Sequence, residues 1–183
     1  MDYCARLTRA RARNFYFGLK LTPEPRRSAL YALYAWTRRA DDSVDDAPSE
    51  PAARRALEEF RALTQNVQDL AGEHAAPDRD PMWPAVAWTL ASYPIRPEWL
   101  WSMLDGMEED LQHRGYEDFA ALERYCARVA STVGKMCVAV WGLAPGVDAG
   151  IAYELAHRRG IAFQLTNILR DLRADFAQSP SRV

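Results

Sequence analysis

Cysteine, glycine and long apolar runs are scarce in this sequence, and each shortage narrows the class of protein. The three cysteines form no Cys-x-x-Cys pair, and their odd number fits a reducing cytoplasm better than a disulfide scaffold. The N-terminal segment lacks the apolar core and small-residue cleavage site of a secretory signal. The longest apolar stretch, residues 136–145, is far shorter than the roughly 20 residues that cross a bilayer. We therefore expect a cytoplasmic chain that is soluble or, at most, peripheral to the inner face of the membrane.

The shortage of glycine is accompanied by the absence of any strand pattern. The chain has nine glycines among 183 residues, and no stretch alternates Val, Ile or Thr with polar residues between turn signals. Helix-favouring alanine, leucine, arginine and glutamate dominate instead. With 49% hydrophobic residues the chain is able to bury a core, so we predict one all-α domain over residues 1–183. The net charge of -2 gives no basic face for a nucleic acid.

Prolines, glycines and capping residues divide the chain into predicted helices. Pro25 and Pro51 stand where helices begin, and Asp118 and Asp148 are typical N-cap residues. Gly142 is expected to end a helix because glycine tolerates the left-handed conformation that follows a last turn. The first predicted helix ends near residue 21, and the others cover about 25–46, 51–71, 84–93, 98–113, 118–141 and 148–176.

Four carboxylates crowd the end of the second predicted helix, in the stretch Asp41-Asp42-Ser43-Val44-Asp45-Asp46. Aspartate is a poor helix former, and negative charge at a helix C-terminus opposes the helix dipole, so this crowding lowers stability. A cation would relieve that cost. Asp41 and Asp45 are four residues apart and lie on one helix face, where both carboxylates are able to ligate a hard cation.

A second row of oxygen donors occurs in the last predicted helix. Asn167, Asp171 and Asp175 follow one another at intervals of four residues and therefore line one side of that helix. Asn167 lies within an otherwise apolar stretch, where a buried polar group needs a partner. Oxygen donors of this kind suit Mg²⁺.

Two arginines accompany the carboxylates. Arg38 lies three residues before Asp41 and on its face, and Arg170 is the neighbour of Asp171. Guanidinium groups bind phosphate oxygens in a bidentate fashion. Because Mg²⁺ is commonly held by a few carboxylates together with substrate phosphates, these residues predict the binding of magnesium and a diphosphate.

Further motifs accompany these residues along the chain. They are Asn14-Phe15-Tyr16, Ala32-Leu33-Tyr34-Ala35, Asp105-Gly106-Met107 with Asp110, Tyr125-Cys126, Val129-Ala130-Ser131-Thr132-Val133-Gly134 and Gln164. In this order and spacing, over nearly the whole chain, the motifs resemble the squalene/phytoene synthase family, which joins two prenyl diphosphates head to head. The resemblance implies an isoprenoid synthase-type helical bundle with a central apolar cavity.

The resemblance also implies a role for each matching residue. The first aspartate-rich motif would be Asp41 with Asp45, and the second Asn167, Asp171 and Asp175, which hold several Mg²⁺ ions against substrate diphosphates. Family members ionise one prenyl diphosphate, and the double bond of the second substrate attacks the allylic cation to give a cyclopropylcarbinyl diphosphate. The positions that contact substrate would be Arg38, Gln164, Arg170, Phe15, Leu19, Tyr34, Val129 and Val133, with Tyr125 near the reacting centre.

Two substrates agree with the resemblance. Two farnesyl diphosphates would give presqualene diphosphate and squalene, whereas two geranylgeranyl diphosphates would give phytoene. The sequence of the first motif, Asp41-Asp42-Ser43-Val44-Asp45, favours farnesyl diphosphate as the substrate. The sequence Asp105-Gly106-Met107-Glu108 favours the same substrate. A squalene-forming member would also use NADPH, although no Gly-x-Gly-x-x-Gly motif follows a strand. The oily product implies peripheral membrane contact.

Two interpretations from other classes stay open. One is a non-catalytic helical subunit that retains the motifs without a closed pocket. The other is an unrelated helical metal protein. The chain ends at Ser179-Pro180-Ser181-Arg182-Val183, where family members continue through further helices. We therefore expect a truncated member that lacks the C-terminal helices and is weakly active or inactive alone.

Overall fold

The computed structural model describes residues 1–12, 14–69, 80–112 and 115–178, and only helices and their connections occur in these ranges. The side chains of residues 14, 112 and 173–178 lie outside the described part. The all-α prediction is thus confirmed for the described residues. Within them, no helix combines the length and the apolar composition that crossing a bilayer requires. The helices are α1 (Asp2–Arg11), α2 (Asn14–Lys20), α3 (Arg26–Asp45), α4 (Glu50–Asp69), α5 (Met82–Ser92), α6 (Pro97–Gln112), α7 (Phe119–Cys126), α8 (Thr132–Trp141) and α9 (Ala149–Gln178), with a π-helical segment at Ala127–Ser131.

Helix starts and ends that depend on local chemistry were predicted correctly. The Asp118 carboxylate accepts a hydrogen bond from the backbone N–H of Ala121 at 2.7 Å and so caps α7. The Asp148 carboxylate accepts one from the N–H of Ile151 at 2.9 Å, at the start of α9. Gly142 follows α8 with a φ of 73°, a conformation that favours glycine.

Two predicted helices are divided in the structure. The first predicted helix is two helices, α1, which ends at its C-cap residue Ala12, and α2. The predicted helix over 118–141 contains the π-helical segment between α7 and α8. The predicted loop that precedes α5 falls largely on residues 70–79, which lie outside the described residues.

Packing divides the chain into two compact units. Unit 1 contains Met1–Ile95 with Ala139–Trp141, and unit 2 contains Arg96–Val138 with Gly142–Val183. The sequence-based expectation of one domain over residues 1–183 stays a prediction.

The core of unit 1 is built around a fully buried tryptophan on α3. The Trp36 indole N–H donates to the hydroxyl of Thr64 at 3.1 Å, and that hydroxyl donates to the carbonyl of Phe60 at 2.9 Å. The Phe60 ring lies 5.8 Å from the Trp36 ring and 5.1 Å from the Trp83 ring. These contacts fix α3 against α4 and α5, and with it the carboxylates at the end of α3.

The hydrogen bond inside this core gives a first testable prediction. Thr64→Val keeps the shape of the side chain but leaves the buried Trp36 N–H without its acceptor, so we expect a loss of about 1–3 kcal/mol in the free energy of unfolding. Urea unfolding measures the change. Thr64→Ser, which keeps the hydroxyl, is the matched control and should lose less. A Thr64→Val variant as stable as the wild type would contradict the assigned hydrogen bond.

Unit 2 is held together by the close approach of α9 to the π-helical segment. A Cβ added to Gly160 would lie 2.5 Å from Cα of Ser131 and 2.6 Å from its backbone nitrogen. A Cβ added to Gly134 would lie 3.1 Å from the carbonyl oxygen of Ala156. The Ser131 hydroxyl donates to the carbonyl of His157 at 2.6 Å. Two glycines and one short side chain thus let these helices meet backbone to backbone.

Candidate functional site

The first aspartate pair lies in the last turns of α3, within unit 1. Asp41 has a 40% exposed side chain, and Asp45 is exposed, so both carboxylates are accessible from solvent. Arg38 Nη1 lies 3.9 Å from Asp41 Oδ2, which confirms that this arginine is on the face of Asp41. The same guanidinium makes a shorter contact with Asp42, with 2.5 Å between Nη2 and Oδ1.

Asp42, which the sequence did not single out, receives a second arginine from α1. Arg11 Nη2 donates to Asp42 Oδ1 at 3.1 Å, the same oxygen that Arg38 contacts. The cation that the crowded carboxylates require is therefore supplied in part by the protein itself. Because Arg11 is 31 residues away in sequence, helical spacing carries no signal for it. Only the packing of α1 on α3 brings it to this place.

Arg38 is a partly shielded cation, with 28% of its side chain exposed. Burial opposes its charge, but the hydrogen bond to Asp42 and the charges of Asp42 and Asp41 outweigh burial and raise the pKa of Arg38. Its Nε is buried and has no hydrogen-bond partner among the described residues. One turn earlier, burial raises the pKa of Tyr34, so its phenol stays neutral. Arg38 thus keeps its positive charge and retains an unused donor.

The other predicted substrate residues of unit 1 lie on α2. Phe15 is 66% exposed, and Leu19 is partly buried. Between them Tyr16 stacks on Tyr31 of α3, with ring centroids 6.0 Å apart and an interplanar angle of 13°. The stacking anchors the short helix and leaves Phe15 as exposed aromatic surface.

The second row of donors lies on α9, within unit 2. Arg170 makes two contacts with Asp171, from Nε to Oδ1 at 2.8 Å and from Nη2 to Oδ2 at 2.5 Å. These hydrogen bonds hold the pKa of Asp171 below its usual range, so the carboxylate is ionised, as a metal ligand must be. Asn167 Nδ2 lies 3.5 Å from Gln164 Oε1. The side chain of Asp175 lies outside the described residues.

The Arg170 contacts qualify the sequence prediction. The sequence predicts that Arg170 binds a diphosphate and that Asp171 ligates a metal ion. In the structure the two side chains are paired with each other, and both are largely exposed. An exposed pair of this kind is weak, so a metal or a phosphate is able to separate it.

Tyr125 is fixed by an acidic residue of α6. Its hydroxyl donates to Asp110 Oδ2 at 2.8 Å, and the ring of Tyr116 lies 5.4 Å from its own ring. Burial, followed by the charge of Asp110, raises the pKa of Tyr116. Asp110 therefore belongs to a polar cluster with the two tyrosines.

Val129 and Val133 occupy the π-helical segment and the start of α8. Val129 Cγ1 lies 2.6 Å from the point that a Cβ on Gly106 would occupy, so this valine fills the space that Gly106 leaves on α6. Val133 is partly buried. The helix between Tyr125 and Val133 therefore passes through a π-helical turn, which has a longer repeat than an α-helix.

The donor chemistry of α3 fits magnesium. Mg²⁺ uses oxygen ligands and is usually held by one or two carboxylates, waters and substrate phosphates rather than by a complete protein cage. Asp41 and Asp45 supply two such carboxylates at accessible positions on one helix. Within the described ranges, no three His, Cys, Asp or Glu side chains form a group able to hold a metal by themselves.

One Glu-x-x-His pair, the pattern of carboxylate-bridged di-iron bundles, does occur on α9. It consists of Glu154 and His157, and the Glu154 carboxylate is paired with Arg158 Nε at 2.7 Å. A di-iron bundle uses two such pairs from different helices, and the sequence contains one. This observation argues against a di-iron bundle of that kind.

The helical fold and its aspartate rows define a protein with the isoprenoid synthase fold, and comparison with known proteins gives its family. The family model described as squalene/phytoene synthase matches residues 8–182. The chain belongs to the squalene/phytoene synthase family.

Curated relatives carry the name phytoene synthase. The phytoene synthase of Mycobacterium tuberculosis is 35% identical over 170 residues, which are 93% of this chain and 52% of that protein. The chloroplastic phytoene synthase of Daucus carota is 38% identical over 177 residues, which are 95% of this chain and 43% of that protein. The chain thus spans about half the length of the curated relatives it matches.

Solved structures give the same fold under other names. A dehydrosqualene synthase crystallised in complex with ligand has a TM-score of 0.81 at 28% identity, covering 97% of this chain and 58% of that chain. The squalene synthase HpnC from Alicyclobacillus acidocaldarius has a TM-score of 0.83 at 25% identity, covering 100% of this chain and 64% of that chain. Both likenesses extend over the described helices and agree with the family assignment.

Proposed function

We propose that this protein acts in the magnesium-dependent, head-to-head condensation of two prenyl diphosphates. The observation that carries the proposal is the end of α3, where Asp41 and Asp45 lie beside the guanidinium of Arg38. Carboxylates for a hard cation and a donor for phosphate oxygens therefore occur on one helix end. Family membership supports the same chemistry.

The side chains take the following parts in this proposal. Asp41 and Asp45 hold Mg²⁺ at α3, and Asn167, Asp171 and Asp175 supply metal ligands on α9. When bound, Mg²⁺ supplies the positive charge that stabilises a departing diphosphate. Arg38, Arg170 and Gln164 bind phosphate oxygens. The apolar groups that would surround the prenyl chains and exclude water are Phe15, Leu19, Tyr34, Val129 and Val133.

The reaction has two stages, ionisation of one substrate and formation of carbon–carbon bonds to the other. The C1–O bond of one prenyl diphosphate breaks, diphosphate leaves, and an allylic cation forms. The double bond of the second prenyl diphosphate attacks this cation, and closure of a cyclopropane with loss of one proton gives a cyclopropylcarbinyl diphosphate. Tyr125, whose hydroxyl is oriented by Asp110, is the polar group proposed to lie near the reacting carbons. Its oxygen carries extra electron density because the carboxylate accepts a hydrogen bond from the hydroxyl, and this density favours a nearby cation.

Farnesyl diphosphate is the first candidate substrate. The sequence of the Asp41–Asp45 motif favours it, and the similar solved structures are named dehydrosqualene synthase and squalene synthase. A squalene product would then require NADPH for its reduction. Geranylgeranyl diphosphate is the second candidate, because the curated relatives are named phytoene synthase. Release of either oily product implies contact with a membrane surface.

Calorimetric titration tests the proposal directly. Non-hydrolysable farnesyl and geranylgeranyl diphosphate analogues are titrated into the chain with Mg²⁺ and with EDTA. We expect magnesium-dependent binding that weakens at least about tenfold in Asp41→Asn and in Asp171→Asn, since each loses a charged ligand. Glu58→Gln, which removes an exposed carboxylate of α4, is the control for loss of charge alone.

The outcomes separate the candidate functions. Tighter binding of one chain length identifies the substrate class. Product analysis on the same samples separates a catalytic chain from a helical subunit that binds substrate without turnover. Binding that is equal with Mg²⁺ and with EDTA, or equal in Asp41→Asn and the wild type, would overturn the proposed magnesium site.

A further inference from the structure

One carboxylate oxygen at the end of α3 serves two arginines from different helices. Asp42 Oδ1 accepts from Arg11 Nη2 of α1 at 3.1 Å and from Arg38 Nη2 of α3 at 2.5 Å. The Asp42 side chain is 21% exposed and that of Arg38 28% exposed, so this is the more shielded part of the aspartate cluster. Asp42 contacts both guanidiniums, whereas the contact between Arg38 Nη1 and Asp41 Oδ2 is longer, at 3.9 Å.

The arrangement solves an electrostatic problem. Arg11 and Arg38 converge on one point, where their like charges repel each other, and the attraction of both to a negative charge between them offsets that repulsion. Both side chains are also long and flexible, so an anion that bound them in an unpaired state would have to order them first. Asp42 removes both difficulties, because it holds each guanidinium in place before any ligand arrives.

Arg38 shows that donor capacity is left over. A guanidinium has five N–H donors. Asp42 takes one of them, Asp41 interacts weakly with another, and Nε is buried without a hydrogen-bond partner in the described part of the chain. The pairing with Asp42 therefore orients Arg38 without saturating it.

We propose that Asp42 is a positioning residue, which holds Arg11 and Arg38 as a preorganised anion-binding pair beside the metal-binding carboxylate of Asp41. The inference rests on the proposed function, because the anion is the diphosphate group of the substrate. It adds Arg11 to the groups that bind this diphosphate. It also gives Asp42 a part distinct from that of Asp41 and Asp45, since its contacted oxygen is occupied by arginines rather than offered to metal.

The proposal predicts an effect opposite in sign to simple electrostatics. Removing a negative charge next to an anion site should tighten anion binding if charge alone matters. Removing a positioning residue should weaken it, because the arginines lose their common anchor. Asp42→Asn keeps the size of the side chain and so distinguishes the two cases.

The first experiment titrates pyrophosphate into the whole chain in the presence of Mg²⁺. We expect Asp42→Asn to bind about tenfold more weakly than the wild type, the size of effect typical of one lost charge-assisted hydrogen bond. Asp42→Glu should restore most of the affinity. Asp46→Asn, which removes an exposed carboxylate one turn further along, is the matched control and should bind as well as the wild type or more tightly.

A second experiment measures the mobility of the two arginine side chains by NMR in the absence of any ligand. The Nε–H signals of Arg11 and Arg38 in ¹⁵N NMR spectra should be dispersed and slow to exchange in the wild type and in Asp46→Asn. In Asp42→Asn they should move to the positions of mobile arginines, for which the exposed Arg9 of α1 serves as the internal reference. Signals that are unchanged in Asp42→Asn would overturn the positioning role.

Further variants keep the test decisive if Asp42→Asn is poorly folded. Arg11→Gln approaches the same contact from α1 and should also weaken pyrophosphate binding, whereas Arg9→Gln should not. Urea unfolding of all variants shows whether loss of binding follows loss of structure. Tighter binding by Asp42→Asn, or full affinity in Arg11→Gln, would refute the proposal. If the wild type itself fails to bind pyrophosphate with Mg²⁺, the proposed function is refuted, and the NMR signals alone decide whether Asp42 holds the arginines.

Discussion

Replacing Gly160 with alanine is expected to destabilise the protein by about 3 kcal/mol, at the upper end of the usual cost of overpacking. The added Cβ would lie 2.5 Å from Cα of Ser131, 2.6 Å from its nitrogen and 2.9 Å from the carbonyl carbon of Ala130. All three are backbone atoms of the π-helical segment. No rotation of a side chain relieves such a contact, so α9 and the segment would have to separate.

Urea unfolding measures this loss, and the chain offers a matched control. A Cβ added to Gly18 on α2 meets nothing within 4 Å, and alanine favours a helix over glycine by up to about 1 kcal/mol. Gly18→Ala should therefore be neutral or stabilising. A Gly160→Ala variant with the wild-type urea midpoint would show that the two backbones are not in contact.

The same substitution should affect binding, because the π-helical segment contains Val129 and α9 carries Gln164 one turn beyond Gly160. Both are proposed to contact substrate. Separation of the two helices would displace them together, even though Gly160 itself has no chemical group to offer. Gly160 thus fixes the relative positions of Val129 and Gln164 through the packing of α9 on the π-helical segment.

Local chemistry explains which features could be predicted from the sequence. Asp118 and Asp148 cap the helices that follow them, and Gly142 ends one, because each acts on backbone groups within three or four residues. The spacing of Asp41 and Asp45 likewise follows from the helical repeat. Such features depend on neighbours in sequence, and the sequence contains all the information that fixes them.

Contacts between distant residues could not be predicted in the same way. The Arg11–Asp42 and Asp110–Tyr125 contacts join residues 31 and 15 positions apart. The π-helical turn contains Ser131, which packs against α9. Because this packing partner is distant in sequence, the local helical pattern does not indicate the π-helical turn. In each case the determining partner lies on another helix, and hydrophobic periodicity does not identify partners.

The charge cluster of α3 shows how a sequence argument can be right in direction and incomplete in cause. Crowded carboxylates at a helix end do require a cation, and metal was the cation inferred. The structure supplies two guanidiniums at Asp42, while Asp41 and Asp45 lie at solvent-accessible positions, where we propose that metal binds. Protein cations and metal are therefore complementary in the proposed site.

Replacing Arg38 with lysine is expected to weaken magnesium-dependent binding of pyrophosphate by about 10- to 100-fold, the range for losing one hydrogen bond to a charged group. Lysine keeps the charge but lacks the planar fork that contacts Asp42 and Asp41 together, and it has no counterpart of the buried Nε donor. The expected loss thus comes from geometry at constant charge.

The neighbouring Arg39 provides the control that separates binding from folding. Arg39 Nη1 donates to the Tyr3 hydroxyl at 2.9 Å and lies 3.0 Å from Asp80 Oδ2, so it links α3 to α1 and to the start of α5 rather than to the aspartate row. Arg39→Lys should lower the urea midpoint, by about 1 kcal/mol in unfolding free energy, and leave pyrophosphate affinity unchanged. Arg38→Lys should lower the pyrophosphate affinity and leave the urea midpoint unchanged. If both variants lose affinity in proportion to their stability, Arg38 acts through the fold alone, and the diphosphate must be held by other groups.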